Sequence, residues 1–229
     1  MSFLAKVQDR IKRKGLRSTL KAGFKRFVFY HLELLWLERD LITPVAPNKL
    51  KPSPVVRVEK ITVNNVKAFT RHFPGKVETM RDLAAEGYTG IMLVDESNDV
   101  VAFIWGSTRH YHDHHYYGCW FPVGAGEFFE FGGEVARRYW GTNLAIDMQL
   151  ELWKLMRPQG CVKVVDVCEN DNIPALKLHV RTGYTEQGRI MNVYCLFGRW
   201  KFFRETRYSG SRLEALRKPE PHASTATVS

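Results

Sequence analysis

Residues 127–145, EFFEFGGEVARRYWGTNLA, carry three carboxylates, Glu127, Glu130 and Glu134, in an aromatic run that leads into a turn holding Gly141 and Asn143. Carboxylates on a strand are suited to accepting a proton from a reacting group. Strict alternation puts Glu130 and Glu134 on one face and Glu127 on the other, unless Gly132-Gly133 bulges the strand and resets the pattern. Beyond the turn, Leu144, Met148, Leu152 and Leu155 mark one face of a helix. A helix N-terminus offers unpaired N–H groups at the positive end of its dipole, where a phosphate can be held without a cationic side chain. Gly141 allows close approach to the backbone, and Asn143 is a residue that tolerates a left-handed conformation. Units of this kind are widespread, so the stretch alone decides nothing.

Other chemistry-bearing residues lie on either side. His110, His112 and His114 would share a face if extended, a pattern compatible with a metal but equally with a polar loop near a substrate, where Asp113 would attract a cation. The polar-loop reading is preferred and no metal is expected. The four cysteines, Cys119, Cys161, Cys168 and Cys195, lack Cys-x-x-Cys spacing and read as reduced core residues of a cytoplasmic protein.

The elements that must position these residues follow from periodicity. A β-branched strand at 162–167 precedes a helix with Asn172 as N-cap, Pro174 in the first turn and Gly183 as the stop. Strands are expected at 88–94 and 100–107 around the turn ESND, two short helices at 63–73 and 76–86, an opening strand after Pro54, and a closing pair at 187–193 and 194–200. Residues 27–41 fit either a helix end or an extra strand. Residues 43–54 contain four prolines and read as a linker, and residues 204–229 as a disordered tail.

Of the net charge of +10, residues 1–30 contribute nine cations against Asp9, a balance of +8. Apolar residues there recur at helical spacing, which predicts a basic amphipathic helical extension over residues 1–42. Such an extension suits an anionic membrane surface, docking on the domain or a second subunit in a homodimer, or nucleic acid. No aromatic–basic RNA motif supports the last, and no run is long and apolar enough to span a bilayer.

The order Asn172, Ala175, His179, Gly183, Tyr184 resembles the second signature of the GNAT superfamily of acyl-CoA-dependent N-acetyltransferases. With it, Trp140, Gly141, Thr142, Asn143, Leu144 and Ala145 resemble that superfamily's pyrophosphate-binding turn, the likeness covering roughly residues 55–200. The resemblance implies an α/β (α+β) GNAT fold over residues 55–203, with a mixed, mostly antiparallel sheet and flanking helices. Three departures stand out: Trp140 in place of Arg or Gln, Asn143 in place of the middle Gly, and His179 in place of a Tyr.

The likeness also implies roles. Acetyl-CoA, or another acyl-CoA, would be the co-substrate and a small amine the acceptor, attacking directly without an acyl-enzyme. Glu130 is the first choice of base and Glu127 the second. Either is also readable as a hydrogen-bonding strand residue. Val135 would supply an oxyanion N–H, Asn172 would bond the pantetheine, and Arg137 or Arg138 would meet the nucleotide phosphates. His179 would protonate the departing thiolate, the alternative being a helix-face His packed on the sheet. The acceptor is expected to be an amino sugar or other cell-envelope precursor, with the enzyme cytoplasmic and at most peripheral to the membrane. A long-chain acyltransferase acting on an amino acid and a non-catalytic CoA-binding scaffold remain open.

Overall fold

The computed structural model describes residues 28–47, 50–54 and 56–217. The amphipathic helices expected in residues 1–27, and tail residues 218–229, lie outside the described residues.

Among the described residues ten strands, β1 (Phe29–Asp40), β2 (Arg57–Lys60), β3 (Thr89–Val94), β4 (Val100–Ser107), β5 (Tyr111–His112), β6 (Trp120–Phe121), β7 (Glu127–Val135), β8 (Lys163–Glu169), β9 (Thr185–Leu196) and β10 (Trp200–Arg207), combine with three α-helices, α1 (Val77–Ala85), α2 (Leu144–Met156) and α3 (Ile173–Thr182). Eight strands form one sheet in the order β10-β9-β1-β8-β7-β4-β3-β2, while β5 and β6 form a separate ribbon. Pairing is antiparallel except between β7 and β8. This is the expected mixed, mostly antiparallel sheet. Alternate residues feed two cores: Leu34, Trp36, Phe103 and Phe129 pack on the α1 side, and Leu35, Leu37, Ile104 and Phe128 on the side of α2 and α3.

Several sequence boundaries are corrected. Residues 29–40 are not part of a helical extension but a strand in the middle of the sheet, between β8 and β9. Leu34 through Leu37 are buried on both faces, which is what a near-continuous apolar run achieves inside a sheet. The first of the two short helices is only a 3-10 turn, Val66–Phe69. The closing strands meet at residues 197–199, so β9 is one 12-residue strand. Residues 204–217 are ordered: β10 runs to Arg207, and Leu213 is buried, its N–H bonded to Glu186. The proline-rich linker is seated as well, Lys51 forming a parallel bridge with Thr142.

Helix α3 matches its sequence signals. Asn172 Oδ1 accepts the Ala175 N–H at 3.4 Å, and Gly183, at φ 83°, closes the helix in the left-handed conformation. No helix among the described residues is long and apolar enough to cross a membrane.

Candidate active site

The parallel ladder of β7 and β8 is short. It runs from Glu127 opposite Lys163 to Phe129 opposite Val165, after which β7 stays with β4 and β8 with β1. The two strands therefore splay, and the gap between them is the site. A bulge at Gly132-Gly133 accompanies the splay: Trp105 pairs with Phe131 but Phe103 with Glu134, three steps on β7 against two on β4. Gly132 sits at φ 66°, the conformation this bulge requires. The reset is chemically decisive. Glu130 points toward α2, whereas Glu134, which simple alternation would place beside it, turns to the other face and pairs with Lys76 at 3.4 Å.

The bond from Ala136 N–H to Val101 O, at 2.7 Å, fixes the phase of the ladder. Val135, opposite Ala102, is then a non-hydrogen-bonded pair with β4, so its N–H and carbonyl point into the gap. Trp140, one of the departures, donates its indole N–H to that carbonyl at 2.9 Å.

Two cavities meet in the gap. One, of about 570 Å³, runs past Val135, Gly141, Thr142, Ala145 and Asn172 toward Arg181. The other, of about 380 Å³, is bounded by Lys76 and Tyr116 at one side and by Glu130, Asp166 and His179 at the other. Gly133, Glu134, Met148, Asn172, Ala175 and Leu178 line both, so they form a shared throat.

The floor of the smaller cavity is a buried polar network. Glu130 accepts from Gln149 Nε2 at 2.6 Å, Trp153 Nε1 at 2.7 Å and Tyr184 OH at 3.2 Å. Burial, reinforced by the Asp166 carboxylate, pushes its pKa up to about 7 against the opposing effect of the Trp153 and Gln149 donors. His179 places Nδ1 2.8 Å from the Ala175 carbonyl and Nε2 2.8 Å from Asp166 Oδ2. Both partners only accept, so the doubly protonated ring satisfies both bonds. Burial works against that charge, but Asp166 and the neighbouring Cys168 outweigh it and hold the imidazole pKa well above its usual value.

Several sequence-stretch expectations change here. Glu127 is not near the network: it accepts the Gly124 N–H at 3.0 Å, pairs with Lys163 at 3.0 Å, and lines neither cavity. Two residues separate it from Glu130 on an extended strand, which puts it on the other face, and there it is already committed. Arg137 and Arg138 also lie outside both cavities, Arg137 over the Trp140 ring and Arg138 paired with Asp95. The cations that do line the larger cleft are Lys177 and Arg181, one helical turn apart on α3. Their i, i+4 spacing was the signal available in the sequence.

The turn at 141–145 is also different in detail. Gly141 is left-handed at φ 83°, but Asn143 is right-handed at φ −70° and acts as the N-cap without a side-chain bond. Its N–H is not bare; it donates to Lys51 O at 2.8 Å. The Leu144 N–H faces Thr142 Oγ1 at 3.3 Å, and the Leu144 side chain is wholly buried. Ser53 bonds Asp147 in the first turn of α2, so residues 50–53 lie along the turn.

In the loop after β5, the carboxylate of Asp113 accepts the amides of His115, Tyr116 and Tyr117, which makes it a loop staple rather than an open cation receptor. His110 accepts the Val123 N–H, while His112 and His114 contact each other. Among the described residues, the ligand atoms close enough to share an ion belong instead to His72, Asp95 and Asp99, where Arg71 and Arg138 already pair the carboxylates. All four cysteines are free and buried, and burial pushes the Cys168 thiol up.

The splayed pair, the bulged strand and the strand–turn–helix at its end define the GNAT fold. No protein-family model matches the chain, and no curated protein matches it. Solved structures do. A tandem GNAT protein from the clavulanic acid biosynthesis pathway superposes with a TM-score of 0.51 at 12% identity, covering 80% of this chain and 59% of that one. A conserved protein of unknown function from Staphylococcus epidermidis gives 0.53 at 9% identity, covering 80% and 68%, and a Drosophila protein gives 0.51 at 8%, covering 80% and 57%. The chain thus spans a little under three-fifths of two of these three structures.

Proposed function

We propose that the chain is an acyl-CoA-dependent N-acyltransferase that moves an acetyl group from acetyl-CoA directly to a primary amine, the amine of an amino sugar or another cell-envelope precursor. The observation that carries this reading is the pair of cavities joined at a throat between splayed strands, with the Val135 N–H aimed into it. One cavity suits the elongated donor and the other a small cationic acceptor, because its polar wall is rich in carboxylates.

In the proposed reaction the acceptor ammonium gives a proton to Glu130, directly or through water. A carboxylate whose pKa lies near 7 is matched to that task at neutral pH. The freed amine attacks the thioester carbonyl, and the Val135 N–H stabilises the oxyanion. Collapse breaks the C–S bond; the thiolate takes a proton from the His179–Asp166 pair, and the second proton that the nitrogen loses on becoming an amide returns to that pair directly or through water, so the one proton released in the reaction is the one on Glu130. Asn172 and Ala175, at the throat, face the pantetheine arm, while Gly141, Thr142 and Ala145 border the cleft where the diphosphate enters. Lys177 and Arg181 provide cations there. Glu134 supports a second assignment of the base, since it lines both cavities at the throat whereas Glu130 lies below it.

Thiol release measured with full-length protein over a panel of acyl-CoA chain lengths and amine acceptors tests the reading. Turnover with short chains and amino sugars supports it. Turnover confined to long chains points to the lipid-chain alternative, and tight CoA binding without turnover to any donor or acceptor would reduce the protein to a binding scaffold.

A further inference from the structure

At one end of the sheet an aromatic surface has no helix of the described residues over it. Phe29, Leu196 and Trp200 form one cross-strand row over β1, β9 and β10, and His31, Tyr194 and Phe202 form the next row on the same face. The rings pack on one another: His31 stacks on Tyr194 at 4.5 Å, Phe29 on Tyr194 at 6.4 Å, and Phe197 in the β9–β10 turn meets Trp200 edge-on at 5.9 Å. Further along the same face, Leu35 and Ile190 are buried in the core of α2 and α3. The aromatic rows extend beyond that cover, leaving Phe197 60%, Trp200 56% and Phe202 56% exposed. Scattered exposed apolar residues are ordinary; a contiguous set marks a contact surface.

The unpaired charge beside this surface is positive: Glu33, one row further on the same face, is paired with Arg212. Arg199, Arg204 and Arg207 are exposed on and beside β10, and the strand's acid, Glu205, is paired with Arg189. The Phe197 N–H donates to Val28 O at 2.8 Å, so the segment 1–27, with nine Lys and Arg against Asp9, joins the sheet at this very turn. Arginines and exposed aromatics therefore share one end of the described sheet.

We propose that this end docks on an anionic lipid bilayer, with Phe197, Trp200 and Phe202 entering the headgroup region while Arg199 and Arg204 face the lipid phosphates. Aromatic side chains favour the membrane–water boundary, and clustered Lys and Arg favour anionic leaflets. A second copy paired edge to edge along β10 would bring its arginines against like charges, and a docked arm of residues 1–27 would add nine cations to an already basic surface.

Sedimentation of the full-length protein with vesicles tests this. Wild type is expected to pellet with vesicles of mixed phosphatidylglycerol and phosphatidylcholine and not with phosphatidylcholine alone. The triple variant Phe197→Ser, Trp200→Ser, Phe202→Ser, with residues 1–27 intact, should partition about tenfold more weakly, with an unchanged circular-dichroism melt. If that variant fails to fold, Arg199→Glu with Arg204→Glu serves instead and should also lose binding. Equal sedimentation of variant and wild type, or no binding by either, would overturn the proposal. So would a triple variant that loses self-association or melting temperature while vesicle binding stays as it was.

Discussion

Glu130 couples stability to chemistry. The unfolded chain releases this proton near pH 4.3 and the folded chain near 7, so the contribution of the neutral form is present below the lower value and is lost as pH rises through the upper one. Its full extent is about 4 kcal/mol. Glu130→Gln removes the titration, but its one amide oxygen can keep either the Gln149 and Tyr184 donors or the Trp153 donor, not both. The variant is expected to lose the wild type's fall in melting temperature between pH 4 and 8 and to turn over at least about a hundredfold more slowly, and the rise of kcat/KM through about pH 7 should vanish from its profile. A melting temperature that falls across that range as it does in wild type would refute the titration argument, and an unchanged kcat would transfer the base to Glu134. His179 behaves differently, because removing it strands a charge. His179→Phe leaves the partly buried Asp166 carboxylate without its partner, a loss of about 2–3 kcal/mol, below the roughly 3–5 kcal/mol of a fully buried pair. Adding Asp166→Asn should restore much of that stability in a denaturant titration but none of the turnover. Recovery of turnover in the double variant would exclude proton donation by His179.

At the scale of elements, residues 50–53 stand against the turn that the proposed donor's diphosphate would approach. The Asn143 N–H is already given to Lys51 O, and Asp147, bonded by Ser53, adds a negative charge in the first turn of α2. Asp147→Asn is therefore expected to tighten CoA binding several-fold in a calorimetric titration, by loosening the segment and removing repulsion worth about 1 kcal/mol; weaker binding would show that the segment does not compete with the donor. This arrangement was not legible in the sequence. Four prolines announce a linker, but nothing local says which turn it crosses. The signals that did hold were those whose cause is local: Asn172 and Gly183 cap α3, and Gly132-Gly133 bulge β7. Glu127 and Arg138 went elsewhere because their partners, Lys163 and Asp95, are distant in sequence. Residues 29–40 were ambiguous because LELLWL satisfies helical and strand spacing alike, and only the two flanking strands resolve it.

For the molecule as a whole, that strand changes what counts as an appendage. β1 buries Leu34, Leu35, Trp36 and Leu37 and pairs with both neighbours along most of its length. Deleting residues 1–45 would open the sheet and is expected to abolish cooperative melting, while deleting 1–27 should leave the melting transition intact. Comparable melts for the two truncations would mean that β1 is dispensable. The position of β1 also sets an order of events during synthesis. The first strand among the described residues has its partners at 163–169 and 185–196, so it must wait for more than a hundred further residues before it can pair. Until then an apolar strand is left uncovered, which makes the newborn chain a natural client for chaperones.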